Sequence, residues 1–136
     1  ISIPNELPPA FVDAVEIQQV LINLLDNAMK YSWVNSPIQV HIRIGVHELE
    51  IEISNAGDPI EAQDLKRIFE RFYRHRSSQQ PPIRGTGLGL AICKGIIEAH
   101  EGRIWAECID NTIKFIFTVP VTESMVSFSL EGLHKT

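Results

Sequence analysis

Asn23, Asn27 and Lys30 stand at i, i+4 and i+7 in a segment otherwise built from apolar residues at helical spacing, so they share one stripe of a helix, with Tyr31 at its edge. Asn is a modest helix former, and two in mid-helix cost stability that Glu or Lys at an exposed position would not. An amide oxygen is a hard ligand of the kind Mg²⁺ accepts beside water and phosphate oxygens, and a neighbouring ammonium meets phosphate directly. The stripe offers Asn23 and Asn27 as metal ligands and Lys30 as a phosphate contact. The plainer alternative is that both amides bond backbone or water. A second candidate is the cluster Gly85-Thr86-Gly87-Leu88-Gly89, which opens a helical pattern. It lacks the Gly-Lys-Ser/Thr of a P-loop, and Leu90 stands where a dinucleotide fingerprint needs its third glycine. What remains is glycine backbone at a helix start, where free N–H groups favour phosphate, against the alternative of a plain flexible turn.

These residues need elements to carry them. Asp13 sits where an N-cap would, and Ile17, Val20, Leu21, Leu24, Leu25 and Ala28 predict an amphipathic helix over Ala14 to Tyr31. Ile38, Val40, Ile42 and Ile44 alternate with polar residues, then Gly45 to Glu48 turns the chain into Leu49, Ile51 and Ile53, which predicts a hairpin with one face buried. A second helix is expected from about Glu61 to Tyr73. His75 to Arg84 has loop composition, and a third helical pattern runs from the glycine cluster to Ala99. Arg103 to Cys108 and Thr112 to Val119 alternate about Asp110-Asn111, a second hairpin. The order predicts a two-layer α/β (α+β) sandwich, helices on one face of a sheet. Residues 1–122 would form the domain and 123–136 a tail.

The chain has 136 residues, 44% of them hydrophobic and 21% charged, the range of one globular domain and not of a disordered or fibrous chain. A net charge of −5 argues against nucleic acid as the main partner. No apolar run is long enough to cross a bilayer, and the first residues lack a signal segment, so no membrane contact is expected from this segment. Cys93 and Cys108 make neither a disulfide framework nor a metal site and read as small buried apolar residues of a reducing compartment.

Three segments in this order resemble the motifs of sensor histidine kinases. Asn23-Leu24-Leu25-Asp26-Asn27-Ala28-Met29-Lys30-Tyr31-Ser32 is similar to their N box, Phe69-Glu70-Arg71-Phe72-Tyr73-Arg74 to their F box, and Gly85-Thr86-Gly87-Leu88-Gly89-Leu90 to their second glycine box. The likeness spans about Pro9 to Pro120. It implies the Bergerat ATP-binding fold shared with gyrase B, the MutL repair proteins and heat-shock chaperone ATPases, with three helices packed on one face of a mixed sheet. It also implies that Asn27, helped by Asn23, holds Mg²⁺, that Lys30 contacts phosphate and that Tyr31 lines the adenine pocket. Gly85, Gly87 and Gly89, with Thr86 and Leu88 between them, would bring backbone amides to the phosphates of ATP. Arg74 and the lid residue Arg84 would neutralise charge in transfer.

The first glycine box departs from the family pattern. The family commonly reads Asp-x-Gly-x-Gly, its Asp accepting from the adenine amino group, whereas this chain has Asn55-Ala56-Gly57-Asp58-Pro59. Asn55 still accepts but without charge assistance, and Asp58 would substitute only if the turn were rebuilt. The family's hydrolases carry a Glu four residues before the metal-binding Asn; Asn23 stands there, and an amide cannot take a proton from water, which favours a kinase. His47-Glu48-Leu49 starts like a phosphoacceptor motif but continues without its basic residue, Thr or Pro, and alternates like a strand. The acceptor is therefore expected on a dimerisation domain elsewhere in the same parent protein, with a response regulator downstream. A cytoplasmic location follows for this segment, with a parent sensor that can be membrane-anchored. The runner-up is a nucleotide-binding regulatory module of the same fold with weak or no phosphotransfer.

Overall fold

The computed structural model describes residues 13–71, 73 and 89–120. The first helix, α1 (Ala14–Tyr31), starts where Asp13 Oδ1 accepts from the backbone N–H groups of Val15 and Glu16, at 2.9 and 3.1 Å. Two of the donors a helix start leaves unmatched are thereby satisfied. The strands β1 (Ile38–Ile44) and β2 (Glu48–Ala56) form the expected hairpin, closed by Gly45 N–H donating to the Glu48 carbonyl at 2.8 Å. The helix α2 (Ala62–Arg67) is shorter than the span from Glu61 to Tyr73 that periodicity predicts. Ile68 to Arg71 continue as turns, which still bury Ile68 and set Phe69 edge-on to Phe115, ring centroids 6.5 Å apart. Apolar spacing reports which side chains face inward, and turns can satisfy that as well as a helix.

The helix α3 (Gly89–Ala99) and the hairpin of β3 (Ile104–Ile109) with β4 (Thr112–Pro120) complete the described chain. Asp110 at φ 53° makes the turn, a conformation that a short polar side chain tolerates. The sheet order is β1-β2-β4-β3 and every pairing is antiparallel. The two-layer α+β sandwich is as expected. The mixed sheet implied by family likeness is antiparallel among the described residues, because β4 returns from its hairpin to lie along β2 instead of extending the sheet in parallel.

One face of this sheet carries Ile51, Ile53, Ile113, Phe115 and Phe117, covered by Val20 and Leu24 of α1 and by Cys93 and Ile97 of α3. At the end of α3 the N–H of Gly102 bonds the Ile97 carbonyl and that of Glu101 bonds the Glu98 carbonyl, with Glu101 left-handed at φ 61°. This is the Schellman pattern of helix termination. Gly102 is required there for room, since a Cβ would stand 1.9 Å from the Thr118 carbonyl oxygen. His100 ties the two helices: its Nε2 accepts from Asp13 N–H at 3.0 Å while its Nδ1 donates to the Ile96 carbonyl at 2.7 Å, the arrangement of a neutral ring.

Candidate functional site

The stripe on α1 is built as its spacing predicts, and the structure adds what each amide does. Asn27 is half-buried and its Nδ2 donates back to the Asn23 carbonyl at 2.9 Å. Asn23 is also half-buried and hydrogen-bonds the sulfur of Cys93 on α3. Burial pushes the Cys93 thiol up to about 11, and the Asn23 amide, by donating to the sulfur, pulls the other way. Cys93 is fully buried, and its own S–H points to the Val20 carbonyl at 3.9 Å. Both amide nitrogens are thus engaged within the fold, and the amide oxygens are what the stripe has left to offer a cation. Lys30 pairs with Asp26 across one turn at 3.0 Å. An exposed pair of this kind is worth about 0.3–0.5 kcal/mol, so a phosphate group would displace Asp26 readily.

The C-terminal end of α1 is strapped to the end of β2. Ser32 bridges Gly57, Trp33 N–H donates to the Ala56 carbonyl at 2.9 Å, and Gly57 N–H donates to the Asn111 carbonyl at 2.9 Å. Gly57 must be glycine for this approach, because a Cβ would sit 2.3 Å from the Tyr31 carbonyl oxygen. The strap brings Tyr31, buried at 8% exposure, beside Asn55 and Gly57. Residues 24 positions apart in the chain thereby line one place.

Asn55 is the unusual member. It is 3% exposed on the helix-covered face of β2, and its Oδ1 is the one buried side-chain polar atom among the described residues that has no hydrogen-bond partner. Its Nδ2 makes only a long bond, 3.4 Å, to the Ala56 carbonyl. Leaving such an acceptor unmatched costs about 1–3 kcal/mol, which a fold tolerates where a ligand supplies the donor. Asp58, the acidic alternative to Asn55 in this turn, accepts from the Trp33 indole N–H at 2.9 Å. That engagement leaves Asn55 Oδ1 as the unmatched acceptor of this turn.

Tyr73 donates its hydroxyl to Asp64 of α2, with Arg67 stacked 4.9 Å over its ring. Burial, then the Asp64 bond and charge, raise the Tyr73 hydroxyl to about 12. Of the remaining sequence candidates, Gly89 begins α3, while Arg74, Arg84, Gly85, Thr86, Gly87 and Leu88 lie outside the described residues. A cleft of about 360 Å³ lies elsewhere, between α2, α3 and β3, lined by Phe69, Lys94 and Trp105, and holds none of the candidate residues. The support that Cys93 gives Asn23 is invisible in the sequence, where Cys93 reads only as core. Cys108 is half-buried, its sulfur accepting from Ile60 N–H at 3.4 Å, and so is less enclosed than its strand pattern suggests.

Residues 12–123 match the family described as histidine kinase-, DNA gyrase B- and HSP90-like ATPases. The chain belongs to this family. It is 40% identical over 125 residues to the adaptive-response sensory kinase SasA of Gloeothece citriformis, covering 88% of this chain and 30% of that protein. The catalytic domain of histidine kinase ThkA, in a nucleotide-free form, superposes with a TM-score of 0.70 at 36% identity, covering 82% of this chain and 71% of that domain. A crystal structure of ThkA in complex with the response regulator protein TrrA matches with a TM-score of 0.66 at 34% identity, over 82% of this chain and 30% of that one. The chain spans from 12% to 31% of the length of curated relatives that it matches. Within the matched span, the α1 that carries the asparagine stripe and the β2 end that carries Asn55 are joined by the strap at Gly57.

Proposed function

We propose that this chain binds Mg-ATP and passes the γ-phosphoryl group to a histidine on a dimerisation domain of the same parent protein, for onward transfer to a response regulator. The observation that carries the reading is the pair of asparagines on α1 whose nitrogens are held inside the fold, Asn27 by the Asn23 carbonyl and Asn23 by Cys93. Held so, their oxygens suit a hard cation that keeps waters and phosphate oxygens as its other ligands. Bound Mg²⁺ would supply charge neutralisation of the phosphates. Lys30, released from Asp26, would add a contact to the same phosphates. The orphaned Asn55 Oδ1 would accept from the adenine amine, and buried Tyr31 beside it would wall the base. Asn23, an amide, cannot deprotonate water, which spares the phosphoryl group for a histidine.

The described histidines support an acceptor elsewhere. Both nitrogens of His100 are engaged, His47 lies in the hairpin turn, and His41 sits in β1 instead of on a helix. No described helix is long and apolar enough to cross a membrane. The Arg74, Arg84 and glycine-box roles belong to the same proposal, drawn from family likeness. Its test is transfer in trans: the parent's histidine-bearing helical hairpin is mixed with this chain and γ-labelled Mg-ATP. Acid-labile label on the hairpin, abolished by Asn27→Ala, is the expected result. Saturated ATP binding without label would instead establish a regulatory nucleotide-binding module, the second reading that the neutral Asn55 favours. An isothermal titration with no heat from millimolar Mg-ATP would overturn both.

A further inference from the structure

Asn55 combines three properties that decide which base the site takes. It is 3% exposed, its Oδ1 has no partner, and its Nδ2 is held only by a 3.4 Å bond to the adjacent carbonyl of Ala56. A planar primary amide keeps its outline when turned half a revolution about its last bond, and the turn exchanges an acceptor for a pair of donors. Turning Asn55 loses one bond at the long limit of hydrogen bonding and sets Oδ1 opposite the Ala56 carbonyl oxygen at about the same separation, where the repulsion between two neutral acceptors is weak. A carboxylate in the same place accepts and never donates, so it meets a base carbonyl with like partial charges and no shared proton. That repulsion would exclude such a base, and the amide lacks it.

We propose that Asn55 opens the site to 6-oxopurine nucleotides as well as to adenine nucleotides. Oδ1 accepts from the exocyclic amine of adenine, and after the half turn Nδ2 donates to the exocyclic oxygen of hypoxanthine or guanine. The inference rests on the reading of this site as a nucleotide pocket. A buried group that pairs one substituent and cannot turn rejects the mismatched analogue by roughly 10⁴–10⁵. One that turns at the loss of a single weak bond separates the two by about tenfold or less.

Inosine triphosphate is the probe that isolates this position, since it differs from ATP at the 6-substituent and its ring proton and lacks the 2-amino group of guanine. Calorimetric titration of the 136-residue chain with Mg-ATP and with Mg-ITP should give dissociation constants within about tenfold of each other. Asn55→Asp should widen the ATP preference by about 100-fold or more, through loss of ITP. ATP binding with ITP more than about 100-fold weaker in the wild type overturns the inference and leaves the nucleotide reading standing. A ratio unchanged by Asn55→Asp also overturns it, because some other group then reads the base. Failure of both nucleotides to bind removes the nucleotide reading itself, and the inference with it. Should Asn55→Asp not fold, the ¹⁵N-labelled side-chain amide of Asn55 decides. Its Nδ2 protons shift downfield with ITP and not with ATP if the amide turns, and their staying in place with both overturns the proposal.

Discussion

The two faces of the sheet handle polar groups in opposite ways. On the outer face Arg43 pairs with Glu50 at 3.4 Å, Lys114 with Glu52 at 3.5 Å and Arg103 with Glu48 at 2.8 Å, while Arg103 also lies over the Trp105 ring. Each charge has an opposite charge on a neighbouring strand or loop, and each keeps some contact with solvent. On the helix-covered face the only buried polar side chain at the end of β2 is Asn55, and its oxygen has nothing to bond. Pairing where water could have served is a matter of solubility and register. An acceptor left unmatched by the protein on the covered face costs stability without a structural return, which makes it a candidate for contact with a ligand.

The contrast breaks first if the covered end of β2 proves tolerant. Gly57→Ala drives a Cβ to 2.3 Å from the Tyr31 carbonyl and should cost about 3 kcal/mol or more, read as a loss of urea midpoint. Little change there would mean the strap between α1 and β2 is loose. Next comes Cys93, the support of Asn23. Its folded thiol keeps its proton to about pH 11 against an ordinary value of 9, so between those values the unfolded chain holds fewer protons. The resulting stability is full below pH 9 and is lost as pH rises to 11, about 2–3 kcal/mol in total. Urea titrations at pH 8 and 11 should show that step, and Cys93→Ala should lose it. Tyr73 acts in the same direction between 10 and about 12 and is separated by Tyr73→Phe.

Asn27→Ala should then reduce the Mg²⁺-dependent part of ATP affinity by roughly 10- to 100-fold. Its thermal midpoint should hardly move, since Ala is the better helix former. An equal loss with and without Mg²⁺ would place the cation elsewhere. On the outer face, Lys114→Ala should cost less than about 1 kcal/mol, and a larger loss would erase the distinction between the faces. Smallest is Gly95→Ala in α3, where a Cβ meets nothing within 4 Å; it should stabilise by about 0.5–1 kcal/mol, in opposition to Gly57.

Much of this molecule is legible in its residues because the relevant signals are periodic. The stripe of Val20, Leu24 and Ala28 marks the buried side of α1, and the alternation of Leu49, Ile51 and Ile53 marks that of β2, since a side chain's direction follows from its position in a regular element. Asp13 as N-cap and Asp110 as turn residue are equally local. α2 is where the local signal misleads: Ile68 and Phe69 face the core from turns, and burial does not distinguish a turn from a helix.

The residue sequence by itself determined the α+β element order and the asparagine stripe at i, i+4, because each depends on neighbours within a few positions. Tertiary structure alone decided that β4 runs antiparallel along β2, that Cys93 holds the Asn23 amide and that Trp33 occupies Asp58. It decided too that Asn55 Oδ1 is left without a donor. These depend on groups far apart in the chain, and a polar atom's want of a partner is a property of everything packed around it, which no spacing rule contains.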